Sequence, residues 1–386
     1  MDQALADLIR ISRETGVDPT LVQGGGGNTS VKTADRRYMY IKASGTALKD
    51  MNQRQGWRRL RLDRTLSVVN DEALGRMEPQ KRELEVVNRL LSACDDNVKT
   101  DARPSVEAHL HACLGKCVIH LHPSAAGAYL NAKGGRARLE KLFGAEKLPP
   151  LWVPYTDPGY MLARRIARLV GKYQAEHGKG PAILFLEKHG LIVTAESPTG
   201  ALRLVRRVIR LCNSKLKQPR KKKVKAVCQE RIDRAEACIR QAYLDGTGEQ
   251  PQVWYYYNGA IEEFLALRDA RKMLSGSLTP DELVYANGPA MWVEKCEPRN
   301  IASRLRRRIN SGRKPAAAFL VRGVGLFVAG SEKIAPTVRD IVLYSIFIRR
   351  NAYRMGGILT LNKRQEDFIN NWESERFRKK LAGGTK

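Results

Sequence analysis

Four of the six histidines in this 386-residue chain fall between positions 109 and 122, and their spacing decides which of them can act together. His109 and His111 lie on a stretch with helical periodicity, where a step of two residues turns the side chain by about 200°. His120 and His122 lie in a β-like run, where residues i and i+2 point to the same side. We therefore predict that His120 and His122 can bind one metal ion, whereas His109 and His111 cannot readily do so together.

His189 offers a third ligand, because it precedes Gly190 between two further apolar, strand-like runs at 182–186 and 191–194. Three histidines with a fourth position open form the arrangement of a catalytic zinc site. A solvated strand face with two histidines, and a turn residue at 189, would give the same pattern without a metal. His177 lies in a loop with Lys and Gly and is expected at the surface.

Glu107 stands two residues after Ser105, in the first turn of the helix predicted to lead into the histidine strand. A carboxylate in a cavity next to a divalent ion is a credible general base. A Glu in a first helical turn is also an ordinary partner of the helix dipole. The position of Glu107 beside the histidines favours the catalytic interpretation.

Two polar turns could bind an anion. The first, GGGGNTS at residues 24–30, would leave its backbone N–H groups accessible, an arrangement that suits a phosphate. It lacks the ending of a P-loop and the strand and helix that flank a G-x-G-x-x-G motif, so nucleotide binding is disfavoured. The second turn, KASGT at 42–46, follows one strand later. Together the turns could hold a small phosphorylated molecule beside the metal.

A basic segment divides the chain. Residues 1–212 alternate short strands with amphipathic helices, which is typical of an α/β domain. Residues 213–229 are predicted to form a linker, since they include SKLKQPRKKKVK with its seven basic residues at 214–225. Residues 230–386 are predicted to form a second, smaller α/β domain.

The second domain is expected to be a degenerate copy of part of the first. The segment LEKHGLIVTAES at 186–197 resembles LVRGVGLFVAGS at 320–331, and a helix with apolar periodicity follows each. Val324 stands in the copy where His189 stands in the first domain. The reactive site is therefore expected in the first domain.

The motifs and their order resemble those of the class II aldolase/adducin family. The blocks that carry this resemblance are GGGNTS (25–30), YIKASGTALKDM (40–51), RPSVEAHLHACL (103–114), VIHLHPSA (118–125), VPYTDPGYMLARRI (153–166) and FLEKHGLIV (185–193). Looser C-terminal blocks resemble the aldolase half of bifunctional rhamnulose-1-phosphate aldolase/dehydrogenase proteins, here as a freestanding version. These blocks are LTPDELV (278–284), VRGVGLFVAGS (321–331) and NNWESERFRKKL (370–381).

The resemblance implies a three-layer α/β/α fold with a largely antiparallel central sheet, often assembled as a homotetramer. It makes Glu107 the acid/base and His120, His122 and His189 the ligands of Zn²⁺, with Mn²⁺ or another divalent ion as the alternative. It places a substrate phosphate near Gly27, Asn28, Ser44, Gly45 and Ser105. The family often has a second serine where this chain has Val106.

The implied activity is a zinc-dependent aldolase, a lyase that cleaves a ketose 1-phosphate to dihydroxyacetone phosphate and an aldehyde. Family members with the same metal site also include epimerases, a dehydratase and decarboxylases, and the motifs do not choose among these reactions. Members of the family that lost catalysis lack the metal histidines. Because this sequence keeps all three, the resemblance favours an enzyme of carbohydrate metabolism.

The charge of the chain leaves a second class of function open. Lys and Arg number 68 against 40 Asp and Glu, a formal net charge of +28. The basic runs at 215–225 and 299–314 would suit a non-catalytic scaffold or a nucleic-acid-associated protein. The first run has no aromatic residue to stack on a base, so specific nucleic-acid recognition is not favoured.

Compartment is predicted from the cysteines and the apolar stretches. The seven cysteines are an odd number at scattered spacings, which indicates reduced thiols. The apolar stretch at 341–348 is far shorter than the roughly 20 residues that a bilayer span needs. Residues 1–20 show no secretory signal. We therefore expect a cytoplasmic protein without membrane association.

Overall fold

A computed structural model describes residues 2–96, 102–220 and 224–372. Residues 221–223 of the predicted linker and 373–381 of the last C-terminal block lie outside the described residues. The described chain forms two β sheets, one on each side of the predicted linker, with helices on both faces of each.

The strands of the first sheet are β1 (Asn28–Lys32), β2 (Tyr38–Lys42), β3 (Trp57–Arg61), β4 (Cys117–Leu121), β5 (Leu151–Val153), β6 (Ile183–Leu186) and β7 (Gly190–Ala195). The helices around it are α1 (Gln3–Gly16), α2 (Leu62–Asn70), α3 (Glu72–Arg76), α4 (Pro79–Ser92), α5 (Ala108–Ala112), α6 (Ser124–Leu130), α7 (Gly135–Leu142), α8 (Tyr160–His177) and α9 (Pro198–Asn213), with a 3₁₀ turn at Leu48–Asp50.

The first sheet has the order β3-β2-β1-β4-β7-β6-β5, and every neighbouring pair is antiparallel except β5 and β6. Apolar side chains of α1, α6 and α9 pack on one face. Those of α2, α4, α5 and α8 pack on the other face. The predicted three-layer α/β/α fold with a largely antiparallel sheet is confirmed.

The second region consists of α10 (Gln229–Thr247), β8 (Val253–Tyr256), α11 (Gly259–Leu265), α12 (Ala270–Met273), α13 (Pro280–Ala286), β9 (Met291–Val293), α14 (Pro298–Asn310), β10 (Ala318–Val321), β11 (Gly325–Ala329), α15 (Ala335–Arg354) and α16 (Lys363–Asn371). Its sheet has the order β8-β11-β10-β9, antiparallel except between β9 and β10. Strands β4-β7-β6-β5 of the first sheet show the same order and directions. This shared topology supports the predicted second copy.

The strand registers show which residues of the second sheet correspond in position to the three histidines. His120 pairs with the third residue of β7, and Tyr255 pairs with the third residue of β11. Tyr255 and Tyr257 therefore occupy the positions of His120 and His122. Val324 directly precedes β11, just as His189 directly precedes β7. The second sheet therefore carries no imidazole at any of the three corresponding positions.

The two halves pack closely through α6 and α15. A Cβ atom added at Gly127 of α6 would lie only 2.5 Å from Cδ1 of Ile348 in α15, so these helices approach at a distance that a larger residue would prevent. All seven cysteines are free. Among the described residues, no helix is long and apolar enough to span a bilayer.

Candidate active site

The three histidines predicted to bind a metal converge at one end of β4. The ring centroids of His120 and His122 lie 5.1 Å apart, and those centroids lie 4.9 and 5.3 Å, respectively, from the ring of His189. One ring nitrogen of each residue lies within 4.8 Å of the others. Three nitrogen donors at this separation can bind a single divalent ion.

Local strand geometry produces this convergence. Alternate residues of β4 pack into the core on one face, so His120 and His122 follow Val118 toward the other face. His189 ends the tight turn between β6 and β7. Gly190, the next residue, must lack a side chain, because a Cβ atom there would lie 2.7 Å from Cδ2 of His122.

Two of the imidazoles are oriented by carboxylates. His120 Nδ1 lies 3.1 Å from Oε2 of Glu107, and His122 Nδ1 donates a hydrogen bond to Oδ2 of Asp281. A proton on Nδ1 leaves the lone pair on Nε2 available to a metal. The Nε2 atom of His120 is buried without a hydrogen-bond partner among the described residues.

The protonation state of His189 suits metal binding. Burial, together with the neighbouring imidazoles of His120 and His122, lowers the pKa of His189 to about 3, so the ring is neutral at pH 7. Neutral imidazole is the form that binds zinc and other first-row transition metals. The residues present therefore fit a divalent metal ion of this class.

Glu107 is the N-cap residue immediately before the short helix α5, rather than a residue of its first turn. Burial raises the pKa of Glu107, but the adjacent His120, His189 and His111 outweigh this effect and hold the pKa well below its usual value. Glu107 Oε1 also lies 3.8 Å from Nε2 of His189. Glu107 is therefore a carboxylate at neutral pH, as a proton acceptor must be.

Helix α5 is held in place by a buried lysine. Lys32, 1% exposed, donates hydrogen bonds from Nζ to the carbonyl oxygens of His111, Leu114 and Gly115, which end this helical segment. The cation compensates the orphan carbonyls at the end of a helix. Lys32 thereby fixes the segment that begins at Glu107.

Most of the residues predicted to bind phosphate lie around one cleft. Gly27, Ser44 and Ser105 line this cleft together with Glu107, His122 and His189. Asn28 is buried behind the wall, where its Nδ2 donates hydrogen bonds to Ser105 Oγ at 2.5 Å and to Glu107 Oε2 at 3.3 Å. Asn28 therefore orients two cleft residues and does not line the cleft itself.

The backbone brings Ser44 and Ser105 together. Ser44 N donates to the carbonyl oxygen of Arg103 at 2.8 Å, and Ser105 N donates to that of Lys42 at 3.1 Å. Gly45 follows Ser44 with a φ of 82°, a value that glycine adopts at little cost. Gly45 shapes the turn and does not line the cleft.

Sequence reasoning missed Lys42, although the KASGT turn contains it. Its side chain lines the cleft, and its Nζ donates to the carbonyl oxygens of Gly25 at 3.0 Å and Thr46 at 2.8 Å. Lys42 therefore joins the two polar turns and places a cation in the wall of the cleft.

The structure gives the glycine-rich turn a packing role that the sequence did not predict. Cβ atoms added at Gly24, Gly25 and Gly26 would lie 2.6 to 3.0 Å from side-chain atoms of Thr337, Tyr285 and Asp281. A residue with a side chain at any of these three positions would crowd the C-terminal half, which packs closely against the turn. Of the four glycines, Gly27 is the one that lines the cleft.

The C-terminal half supplies further walls of the cleft that sequence reasoning missed. Pro280 and Asp281 of α13 and Trp372, which follows α16, line the cleft together with His122 and His189. The blocks LTPDELV and NNWESERFRKKL contained these residues, but no periodicity marked them as partners of a site that lies at least 91 residues earlier in the chain.

The remaining histidines, His109, His111 and His177, lie outside the cluster of three histidines. His111 belongs to a second cluster of possible ligands, with Glu107 and His120, and its Nδ1 lies 2.9 Å from Oγ of Ser30. His109 is fully buried and belongs to neither cluster. His177 lies at the end of α8 with 26% of its side chain exposed. His109 and His111 thus do not act as a pair.

One curated relative aligns with almost the whole chain. YuxG of Bacillus subtilis (strain 168), an uncharacterized oxidoreductase, is 23% identical over 425 aligned positions that cover 99% of this chain. The chain spans only 59% of the length of that relative.

Solved structures resemble the N-terminal half. The N-terminal class II aldolase domain of a conserved Thermoplasma acidophilum protein is 27% identical, covers 55% of this chain and 94% of its own, and has a TM-score of 0.45. L-fuculose-1-phosphate aldolase from Thermus thermophilus is 16% identical, covers 54% of this chain and 92% of its own, and has a TM-score of 0.32.

A family model described as the class II aldolase and adducin N-terminal domain matches residues 6–216, more than half of the chain. The match includes the histidine strand, Glu107 and both polar turns. The chain therefore belongs to the class II aldolase and adducin family.

Proposed function

We propose that this protein is a zinc-dependent aldolase that cleaves a ketose 1-phosphate to dihydroxyacetone phosphate and an aldehyde. The observation that carries the proposal is the convergence of three imidazole nitrogens within 4.8 Å of one another, beside the Glu107 carboxylate and in a cleft with serine hydroxyls. Family membership supports an aldolase-type enzyme.

His120, His122 and His189 would hold the ion. A divalent ion bound by three imidazoles acts as a Lewis acid on a carbonyl oxygen. Zinc is preferred because three imidazoles match its usual donor set, with Mn²⁺ as the alternative.

Glu107 would carry the proton of the reaction. When the bond between carbons 3 and 4 of the ketose breaks, the hydroxyl group on carbon 4 gives up its proton and becomes the aldehyde. The electron pair of the broken bond stays on carbon 3, and a proton must reach that carbon to complete dihydroxyacetone phosphate, so that the overall reaction neither gains nor loses a proton. In the reverse direction a base must remove the same proton. The buried, ionised Glu107 carboxylate is suited to this task in both directions.

The phosphate would lie against Gly27, Ser44 and Ser105. Hydroxyl groups at this wall can donate hydrogen bonds to an anion, and Lys42 contributes a positive charge. Asn28 and Gly45 would act indirectly, by orienting Ser105 and presenting Ser44.

The experiment is a screen of the metal-loaded protein against a panel of ketose 1-phosphates and their free sugars, with released aldehyde as the readout. We expect cleavage of at least one phosphorylated ketose and much weaker activity on its free sugar. Turnover of sugar phosphates without aldehyde release would replace the aldolase by an epimerase, dehydratase or decarboxylase. Metal binding without any turnover would favour the non-catalytic basic scaffold.

The name of the YuxG relative makes oxidation the other reaction to test. The glycine-rich turn lacks the G-x-G-x-x-G pattern, and three of its glycines pack against the C-terminal half. We therefore do not propose dinucleotide binding for this chain. Adding nicotinamide dinucleotides to the same screen tests this choice by absorbance.

We also propose a cytoplasmic homotetramer. The family resemblance implies this assembly, and the free cysteines fit a reducing compartment. Light scattering coupled to size-exclusion chromatography measures the mass. A mass of one chain would contradict the tetramer.

A further inference from the structure

One side chain of the C-terminal half contacts a proposed metal ligand of the N-terminal half. Asp281 lies in the first turn of α13, with its side chain 3% exposed. Its Oδ2 accepts a hydrogen bond from Nδ1 of His122, whose side chain is 8% exposed. Gly26 packs against this pair, since a Cβ atom there would lie 2.9 Å from Oδ2 of Asp281 and 3.4 Å from Nδ1 of His122. The contact is therefore shielded from water on several sides.

A buried ion pair fixes the helix that carries Asp281. The next residue, Glu282, accepts hydrogen bonds from Arg349 at 2.9 Å, from the Leu278 backbone at 2.6 Å and from Ser345 at 2.5 Å. Arg349 is completely buried and also donates to two backbone carbonyl groups. Removing either partner of a buried ion pair strongly destabilises a protein, because it leaves an uncompensated charge. The pair between Glu282 and Arg349 therefore holds α13 in place against α15. Asp281 is thus a rigidly placed acceptor.

The C-terminal half also contacts the turn that carries the third histidine. Lys188, which precedes His189, has a φ of 54°, a conformation uncommon for a residue with a side chain. Its Nζ lies 3.4 Å from Oε1 of Gln365 in α16 and 5.2 Å from the centre of the Tyr155 ring. The C-terminal half therefore contacts His122 directly and also contacts the residue that precedes His189.

We propose that Asp281 is a positioning residue of the metal site, which fixes His122 from the opposite half of the chain. This inference rests on the metal site of the proposed function. The hydrogen bond holds the proton on Nδ1 and directs Nε2 toward the site. An acceptor in this role commonly changes metal affinity by about 10- to 100-fold. The second copy thus acts as a support for the site that the first copy keeps.

The test measures metal affinity without any substrate. Metal-free protein is titrated with Zn²⁺ in competition with a chromophoric chelator, and the Co²⁺ form is examined by visible absorption. We expect Asp281→Ala to weaken Zn²⁺ binding by about 10- to 100-fold and to change the Co²⁺ spectrum. Asp281→Asn keeps an oxygen acceptor of nearly the same shape, so its loss should be smaller. Asp367→Asn, at an exposed carboxylate of the same half, is the matched control and should bind like the wild type.

Thermal unfolding of each metal-free variant separates a positioning role from a loss of fold. If the alanine variant does not fold, the asparagine variant still tests the proposal, because it is nearly isosteric. Wild-type affinity in both Asp281 variants would overturn the positioning role and leave the proposed function intact. Absence of Zn²⁺ binding by the wild type would overturn the proposed function and this inference together.

Discussion

Replacing Glu107 by Gln removes one charge and changes the shape of the side chain very little. Oε2 of Glu107 lies near two donors, His120 Nδ1 at 3.1 Å and Asn28 Nδ2 at 3.3 Å. The carbonyl oxygen of Gln can occupy this position and accept both hydrogen bonds. Its amide group would then take the place of Oε1, which lies 3.8 Å from His189 Nε2. The variant should therefore fold, with a stability change of about 1 kcal/mol for the weaker, uncharged hydrogen bonds.

The rate should respond much more strongly than the stability. A neutral amide cannot accept the proton at carbon 3, and positioned acid–base groups contribute about 10²- to 10⁴-fold. This factor corresponds to about 3–5 kcal/mol of activation free energy. We therefore expect Glu107→Gln to keep the metal and to lose at least about 10²-fold in aldehyde release from the best ketose 1-phosphate.

Exchange of deuterium into dihydroxyacetone phosphate, followed by NMR in D₂O, isolates the proton transfer from bond cleavage. Glu107→Gln should slow this exchange as much as it slows cleavage. Glu196→Gln, at a side chain that is 73% exposed, is the matched control and should leave both rates unchanged. Wild-type exchange and cleavage in the Glu107 variant would refute the assignment of the proton carrier.

Three further predictions concern the cleft wall, a buried cation and the glycine-rich turn. Ser44→Ala should raise KM for the phosphorylated ketose and leave the free sugar unaffected, and equal losses in steady-state kinetics on both sugars would argue against a phosphate at this wall. Burial lowers the pKa of Lys32 from 10.5 to about 8, so between these values the unfolded chain keeps a proton that the folded protein has lost. Between pH 8 and 10.5 the free energy of unfolding of the wild type should therefore rise with pH, by up to about 1.4 kcal/mol per pH unit relative to that of Lys32→Met. If urea unfolding gives parallel pH profiles for the two proteins, the pKa of Lys32 is not lowered by folding. Gly26→Ala would place a Cβ atom 2.9 Å from Asp281 Oδ2 and should lower the free energy of unfolding by about 1–3 kcal/mol. Gly171 lies in α8, where an added Cβ atom would have no neighbouring side chain or distant backbone atom within 4 Å. Gly171→Ala should therefore be neutral or stabilising in the same denaturant measurement.

Local spacing was sufficient to predict the part of the site built by β4. The i, i+2 relation on a strand places His120 and His122 on one face whatever the rest of the chain does. The same reasoning separated His109 from His111, and only His111 lies near the site. The short turn at Lys188 brings His189 beside them because β7 pairs with β4.

Contacts between distant segments could not be predicted in this way. Asp281 lies 159 residues after His122, and no periodicity connects an acid on α13 with a histidine after β4. The glycine-rich turn was interpreted as an anion nest because glycine exposes backbone N–H groups. In the structure, three of its four glycines allow the side chains of Thr337, Tyr285 and Asp281 to pack closely against the turn. A run of glycines alone does not distinguish close packing from ligand binding.

The second copy was predicted from twelve residues, and its topology could not be derived from them. Matching Gly190 with Gly325 identified Val324, which precedes β11 in the structure. Tyr255 and Tyr257 could be assigned to the histidine positions only through the register of β8 on β11. Spacing alone could not align β8 with β4, because the twelve matched residues include neither strand.

Metal content measured on purified protein is the decisive test of a metal site at the three histidines. We expect close to one divalent ion per chain by elemental analysis, with a marked loss in His122→Ala and in His189→Ala. His177→Ala, at a partly exposed histidine outside the cluster, should retain the wild-type content. A wild-type protein without metal after zinc loading, or unchanged content in both cluster variants, would contradict the account.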